Sequence, residues 1–261
     1  MRQPSFFIPH GGGPCFFMPD PQGIWTGMGQ FLARLPELLP EQPKALLVVS
    51  GHWEADGFAL TSGAAPELIY DYYGFPRHTY ELTFPAPGTP DLAAQASGLL
   101  KSAGFSSSLD PRRGFDHGVF VPLKVAFPKA EIPIVQMSLD AGLDPALHIK
   151  AGEALKPLRD EGVVIIGSGM SFHNMRGYGN PNFTAPSKAF DEWLTAAVTS
   201  PAKERAAALT EWAKAPAARA SHPREEHLIP LMVAAGTSDA PGEKIYGELV
   251  LGTAISAFKF G

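Results

Sequence analysis

Histidine is the side chain that most readily moves protons near neutral pH, and it is the commonest protein metal ligand. The chain has eight histidines, and three of them follow apolar runs that stop at glycine. Leu46-Leu47-Val48-Val49-Ser50-Gly51-His52-Trp53 reads as a buried strand that delivers His52 at its carboxyl end. Phe6-Phe7-Ile8-Pro9-His10-Gly11-Gly12-Gly13 repeats the plan near the start, and Val163-Val164-Ile165-Ile166-Gly167-Ser168-Gly169 leads to His173-Asn174 late in the chain. Open α/β sheets bind ligands just outside the carboxyl ends of their strands. Three such strands therefore predict one crevice lined by imidazoles.

The remaining histidines divide by context. His148 lies inside a helical run and reads as a packed helix residue, and His78 reads as a loop residue. His117, in Gly114-Phe115-Asp116-His117-Gly118, precedes a helix and is placed to aim into a cleft. His222 and His227 flank Pro223-Arg224-Glu225-Glu226. Pro223 suits a first helical turn, which puts His222 at an N-cap and His227 inside a helix kinked at Pro230. The two then point in different directions, so only one of them serves as a ligand. A site of His10, His52 and a third donor from this helix leaves coordination positions open, as a catalytic metal requires. Nitrogen and oxygen donors suit Fe(II) or Zn(II).

Composition bounds the rest. The 261 residues are 45% hydrophobic and 18% charged, with a formal net charge of −5, which describes a chain able to build a core. No basic block points to nucleic acid. Cys15 is the only cysteine, so an internal disulfide and a thiolate metal cluster are both excluded. No apolar run approaches the roughly 20 residues of a membrane span, and no secretory leader is evident. A cytoplasmic protein without a membrane or nucleic-acid partner is expected.

Elements alternate strand and helix, which favours a single α/β domain over 1–261 with a central mixed, mainly parallel sheet flanked by helices. Strands are predicted at Ser5–Pro9, Ala45–Ser50, Phe58–Ser62, Ile132–Ser138, Val163–Ser168 and Leu249–Ser256. Helices are predicted at Met28–Leu39, Pro90–Ala103, Val119–Phe127, Pro145–Asp160, Ser187–Thr199, Ala202–Trp212 and Pro223–Ala235, with Thr89 and Asp144 as N-caps. The 200–220 segment reads as a solvated helical excursion. Pro14–Gly27 and Glu67–Pro90 are loops rich in aromatics and proline, able to cap the core or to wall a pocket for a flat ring.

Taken in order, several stretches resemble the extradiol ring-cleavage dioxygenases of the LigB type, in their single-chain DOPA 4,5-dioxygenase-like branch. The matching pieces are Pro9-His10-Gly11-Gly12-Gly13-Pro14, Val49-Ser50-Gly51-His52-Trp53, Gly74-Phe75-Pro76, Pro85-Ala86-Pro87-Gly88, Gly114-Phe115-Asp116-His117-Gly118, Pro133-Ile134-Val135-Gln136-Met137-Ser138, Gly167-Ser168-Gly169 with His173-Asn174, and Glu226-His227-Leu228-Ile229-Pro230-Leu231. The resemblance implies one non-haem Fe(II), and it implies that Zn(II) can stand in the same position. It implies His10, His52 and His227 as metal ligands, His173 as the acid/base residue, and His117 as a substrate-contacting or outer residue. Two-subunit relatives complete the metal site with a carboxylate, which makes Glu226 the fallback ligand, with Glu225 beside it.

The activity so implied is cleavage of a catechol-type ring by O2, with an aromatic diol and O2 as partners and a monomer or homodimer as the assembly. Two other classes compete: a non-enzymatic metal-binding or signalling protein of the same fold, and a zinc hydrolase. A serine hydrolase is disfavoured, because Gly167-Ser168-Gly169 lacks the wider Gly-x-Ser-x-Gly spacing. Arg77, Arg112, Arg113 and Arg176 are candidates to hold a substrate carboxylate.

Overall fold

A computed structural model describes residues Met1–Gly261. The three apolar runs become β1 (Ser5–Pro9), β2 (Ala45–Ala55) and β6 (Val163–Gly169). β6 lies between the other two and pairs parallel with both. β5 (Ile134–Asp140) extends this parallel core beyond β2. Outside it, β3 (Phe58–Thr61) joins β5 antiparallel and carries the edge strand β4 (Ser107–Asp110). On the other side β8 (Thr253–Phe260) joins β1 antiparallel and carries β7 (Gly242–Val250). The result is one α/β domain around a mixed eight-stranded sheet in the order β4-β3-β5-β2-β6-β1-β8-β7.

Side chains alternate between the two faces of each strand, so each apolar run feeds two cores. Leu47, Val49, Ile165 and Phe7 pack on one face with α2 (Pro90–Ser102), α4 (Pro145–Leu155), α5 (Thr184–Thr199) and α8 (Ile229–Gly236). Leu46, Val48, Ile166, Phe6 and Ile8 pack on the other with α1 (Thr26–Ala33), α3 (His117–Ala126) and the aromatic loops. Asp144 caps α4 through Leu147 N as expected, whereas Thr89 stands at its N-cap without a side-chain bond. No helix is long and apolar enough to cross a membrane.

Several boundaries differ from expectation, each for a local reason. The single strand at Leu249–Ser256 is instead a hairpin that turns through Leu251-Gly252, both with positive φ (48° and 79°). The short strand β4 has an exposed, polar pattern that gave no period-2 signal. The predicted helices Met28–Leu39 and Pro145–Asp160 give way to 3-10 turns at Leu35–Leu38 and Lys156–Glu161, each with a proline in its first positions. The 200–220 segment is not merely a solvated excursion. α6 (Ala202–Thr210) puts Leu209 into the core beside Trp212, and buried Arg205 donates to the Ala235, Ser238 and Ala240 carbonyls. α7 (Ala218–Ser221) ends at His222.

The largest correction falls on Pro223–Ala235. Residues 223–228 form bends and turns, and α8 begins only at Ile229. Pro230 lies in its first positions, where a missing N–H costs nothing, so it starts the helix rather than kinking it. Three glycines explain how the preceding turn sits. A Cβ on Gly169 would stand 2.1 Å from the His227 carbonyl oxygen, one on Gly167 2.2 Å from that of Pro230, and one on Gly51 3.0 Å from that of Glu226. The His227–Pro230 backbone therefore lies directly across the end of β6.

Gly169→Ala is expected to cost about 1–3 kcal/mol through this overpacking. Gly98→Ala, exposed in α2 with nothing within 4 Å of its Cβ, is expected to be neutral or stabilising by up to about 1 kcal/mol. Urea midpoints of the two variants check the contrast.

Candidate metal centre

His10 follows β1 immediately, and the chain turns away through Gly11 and Gly13, both at positive φ. His52 sits within β2, where the register against β5 shifts between Val49 and Glu54. An irregularity of this kind re-aims side chains at the rim of a sheet. His227 arrives on the turn laid across β6, between the other two. The rings meet: His10 Nε2 is 3.2 Å from His52 Nε2, and His52 Nε2 is 3.1 Å from His227 Nε2.

Their other nitrogens are already committed. His10 Nδ1–H donates to Gly11 O at 2.9 Å, and His227 Nδ1–H donates to Glu226 Oε1 at 3.0 Å. A neutral imidazole carries one N–H, so both Nε2 atoms present bare lone pairs. His52 can donate to one of them at most. Burial, with neighbouring imidazoles adding to it, pushes His10 and His52 well below their ordinary pKa and His227 down to about 4. The rings are therefore neutral at pH 7. Nitrogen ligands at about 2.0–2.1 Å from one ion, in tetrahedral or octahedral geometry, lie roughly 2.9–3.4 Å apart. The His10–His52 and His52–His227 separations fit that spacing, so these nitrogens suit a divalent cation.

His117 and His173 complete the cluster. His117 opens α3, and its ring centroid lies 3.9 Å from that of His52. His173 stacks on His227 at 3.4 Å with 18° between the planes. Two carboxylates hold these rings. Asp71 Oδ1 accepts from His117 Nδ1 at 2.8 Å and from His117 N at 2.9 Å, while its Oδ2 lies 3.6 Å from His52 Nδ1. Asp71 thus fills the capping role that Asp116, at the N-cap position, leaves open. Glu226 Oε1 faces both His227 Nδ1 and His173 Nδ1, at 3.0 and 3.3 Å. Burial raises the pKa of each carboxyl, but the histidine contacts outweigh it and hold both below the usual range.

Behind them the support is polar and fully buried. Asp116 accepts from Ser50 Oγ at 2.8 Å and from Gln136 Nε2, and burial raises its pKa. Ser168 Oγ donates to Gly118 O and is fully buried, so it is no nucleophile. The loop carrying His173 is fastened to the segment before His227: Ser221 O accepts from His173 N, Ala220 O from Asn174 Nδ2, and Ser171 O from His222 Nε2. His222 is thus no N-cap and stands outside the ring cluster. It packs edge-on against Phe190 and Trp212.

The cluster forms the floor of a cavity of 570 Å³. Its walls come from both loops predicted to cap the core or line a pocket: Met18 and Trp25 from the first, Tyr72, Tyr73 and Phe75 from the second. His78 lies elsewhere, with Nε2 3.0 Å from Phe17 O, and His148 is buried in α4, taking Asp140 N on Nε2. None of Arg77, Arg112, Arg113 or Arg176 lines the cavity, so the arginines nominated for a substrate carboxylate do not stand at the site. Arg113 is bound to Asp116 and covers Trp53, and Arg77 pairs with Glu81. Asp71 escaped the sequence reading. Its only signal was an acid between tyrosines in a loop otherwise free of charge for several residues.

The fold and the cluster define a class: α/β proteins that gather histidines, with flanking carboxylates, into a candidate metal centre at the carboxyl ends of central strands. Within that class, the chain belongs to the family described as the catalytic LigB subunit of aromatic ring-opening dioxygenase, which matches residues 6–258. It is 40% identical to the 4,5-DOPA dioxygenase extradiol of Beta vulgaris, over 94% of this chain and 90% of that one. It is 34% identical to the protein of the same name from Escherichia coli K12, over 91% and 86%. It is 37% identical to the dioxygenase tasH of Hapsidospora irregularis, over 99% and 85%. The crystal structure of the uncharacterized protein JW3007 from Escherichia coli K12 superposes with a TM-score of 0.80 at 28% identity, covering 100% of both chains. The protein is accordingly an oxidoreductase of the ring-cleaving dioxygenase class, in the DOPA-dioxygenase-like branch.

Burial pushes the His222 pKa from 6.5 down to about 3, outweighing its hydrogen bond to Ser171 O, which acts to raise it. Above pH 6.5 the ring is neutral in folded and unfolded chains alike. Below it the unfolded chain takes a proton that the folded chain refuses, so stability falls as pH drops across that window. The loss is up to about 1.4 kcal/mol per pH unit for this group. His222→Gln is expected to flatten the decline of the urea midpoint between about pH 6 and about pH 4.

Proposed function

We propose that His10, His52 and His227 hold one non-haem Fe(II), and that the protein opens the ring of a catechol-type substrate with O2, beside rather than between the two hydroxyls. The observation that carries this reading is the meeting of three Nε2 atoms whose partner nitrogens are, for His10 and His227, already spent as donors. His52 Nε2 lies 3.1–3.2 Å from both of the bare Nε2 atoms and can donate to only one, which supports a cation among the three. When bound, the ion supplies a Lewis-acidic, redox-capable point at which a catecholate and O2 meet, which removes much of the entropic cost of bringing them together.

The chain's own residues do the rest. The Glu226 carboxylate lies on the Nδ1 side of His227, away from the Nε2 cluster. This supports His227 as the donor, with Glu226 orienting it from behind. The same carboxylate faces His173 Nδ1, which leaves His173 Nε2 to take a catechol proton and later return it. Asp71 holds His117 with Nδ1–H committed, so its Nε2 is an acceptor for a substrate hydroxyl. Aromatic walls exclude water and fit a flat ring.

Anaerobic loading with Fe(II), followed by catechol and O2, tests the reading. The expected result is O2 uptake and a yellow semialdehyde, with Zn(II) unable to replace Fe(II). Metal-loaded protein that turns over no catechol overturns it. His52→Ala is expected to lose the metal. His173→Ala is expected to keep the metal and lose about 10²–10⁴ in turnover. Glu226→Gln and Asp71→Asn are expected to weaken metal affinity or activity by about 10–100-fold, measured by equilibrium dialysis and O2 uptake.

A further inference from the structure

The cavity above the histidines is larger than one ring needs, and the chemistry of its outer part is uniform. Met18, Trp25, Tyr73, Phe75, Met175 and Leu251 line it, and no lysine or arginine does. Its only carboxylate is Asp71, which already serves the histidines. Two of these side chains stand largely in solvent, Tyr73 at 91% and Met175 at 73% exposure. Large apolar groups left out in this way beside a cavity mark a surface that something else covers.

Leu251 gives an independent sign. It occupies the first position of the two-residue β7–β8 turn, at φ 48°. Both positions of such a turn need positive φ, which asparagine or aspartate followed by glycine meets most easily. A leucine there carries backbone strain. The second position is the expected glycine, Gly252 at φ 79°. The strained residue is also one that lines the cavity.

We propose that this trough receives the ring substituent of the substrate, and that the substituent is apolar or uncharged. A catechol with a carboxylate tail would lay its anion against methionine and aromatic side chains, with no cation to receive it and Asp71 at the same wall. Burying an unpaired charge is costly. The inference rests on the ring-opening reading of the site and adds the class of catechol that it takes.

The test is a matched pair: 3,4-dihydroxyhydrocinnamate and its methyl ester, which share a ring and a chain length and differ in the charge. With the Fe(II) protein, the ester is expected to exceed the acid in kcat/KM by about tenfold or more, mainly through KM. Equal values, or a preference for the acid, overturn the proposal. Met175→Lys, at an exposed position that tolerates substitution, puts a cation at the trough and is expected to lower the acid's KM and close the gap. An unchanged acid KM overturns the assignment of the trough. Leu251→Asn is expected to raise Tm while weakening the ester, and a lower Tm with an unaltered ester overturns the role given to Leu251. Arg176, next to Met175 but outside the lining, is the control: Arg176→Ala should change neither substrate, and loss of the acid alone overturns the proposal. If unsubstituted catechol and both members of the pair are inert, the ring-opening reading fails. Anaerobic calorimetry of the same pair against Zn(II)-loaded protein then reads the trough separately, and the ester must still bind more tightly.

Discussion

The Nε2 lone pairs of two neutral imidazoles both face His52 Nε2, which can donate to only one of them, so the trio is left a partner short unless a cation lies between its members. Much of the architecture serves to hold them so. Gly11 O and Glu226 take the Nδ1 protons of His10 and His227, which fixes the tautomers and leaves the Nε2 atoms bare. Burial keeps the rings neutral at pH 7, because an imidazolium there would sit in low dielectric beside other imidazoles. A divalent ion held as proposed would satisfy all three donors and so couple metal affinity to the fold.

The two carboxylates do more than fix tautomers. Asp71 links His117 to His52, and Glu226 links His173 to His227. Each acid thus spans one proposed metal ligand and one proposed proton-handling or substrate-binding ring. The coupling has a physical consequence: charge that develops on His173 or His117 would be felt through a shared anion by a proposed ligand ring. The three proposed ligands are uncharged, so the proposed ion would keep its full charge toward a catecholate, and the two carboxylates behind the rings would moderate that attraction.

Close backbone approach makes the geometry possible. β6 lies between β1 and β2, so His10 and His52 flank a central strand. The third donor must come from above that strand, and a side chain at its end would keep the incoming turn away. Gly167 and Gly169 remove that obstacle and let the His227–Pro230 backbone rest on the sheet. The glycines at these strand ends therefore serve chain-to-chain packing as much as any ligand.

Much of the site was legible in the sequence, because β-strand chemistry is local. Apolar β-branched runs that stop at glycine and histidine announce buried strands with functional carboxyl ends, and His10, His52 and His173 follow from that. His117 was legible from its place before a helix. The path between His222 and His227 was not. Pro223 and Pro230 are both acceptable helix starts by local rules, and only the packing of the turn over β6 chose the second. The Leu251-Gly252 turn was equally hidden, because leucine there violates the local preference that would have announced it. Asp71 lies in an irregular loop, and nothing in its neighbours says that it meets His52 and His117. By itself the sequence determined the strands, their histidine ends and the two aromatic loops, since these depend on periodicity and residue type. Tertiary structure alone decided which nitrogens face one another, which carboxylate stands behind which ring, and that no arginine reaches the cavity. Those facts depend on distances between residues far apart in the chain, and no local propensity encodes such distances.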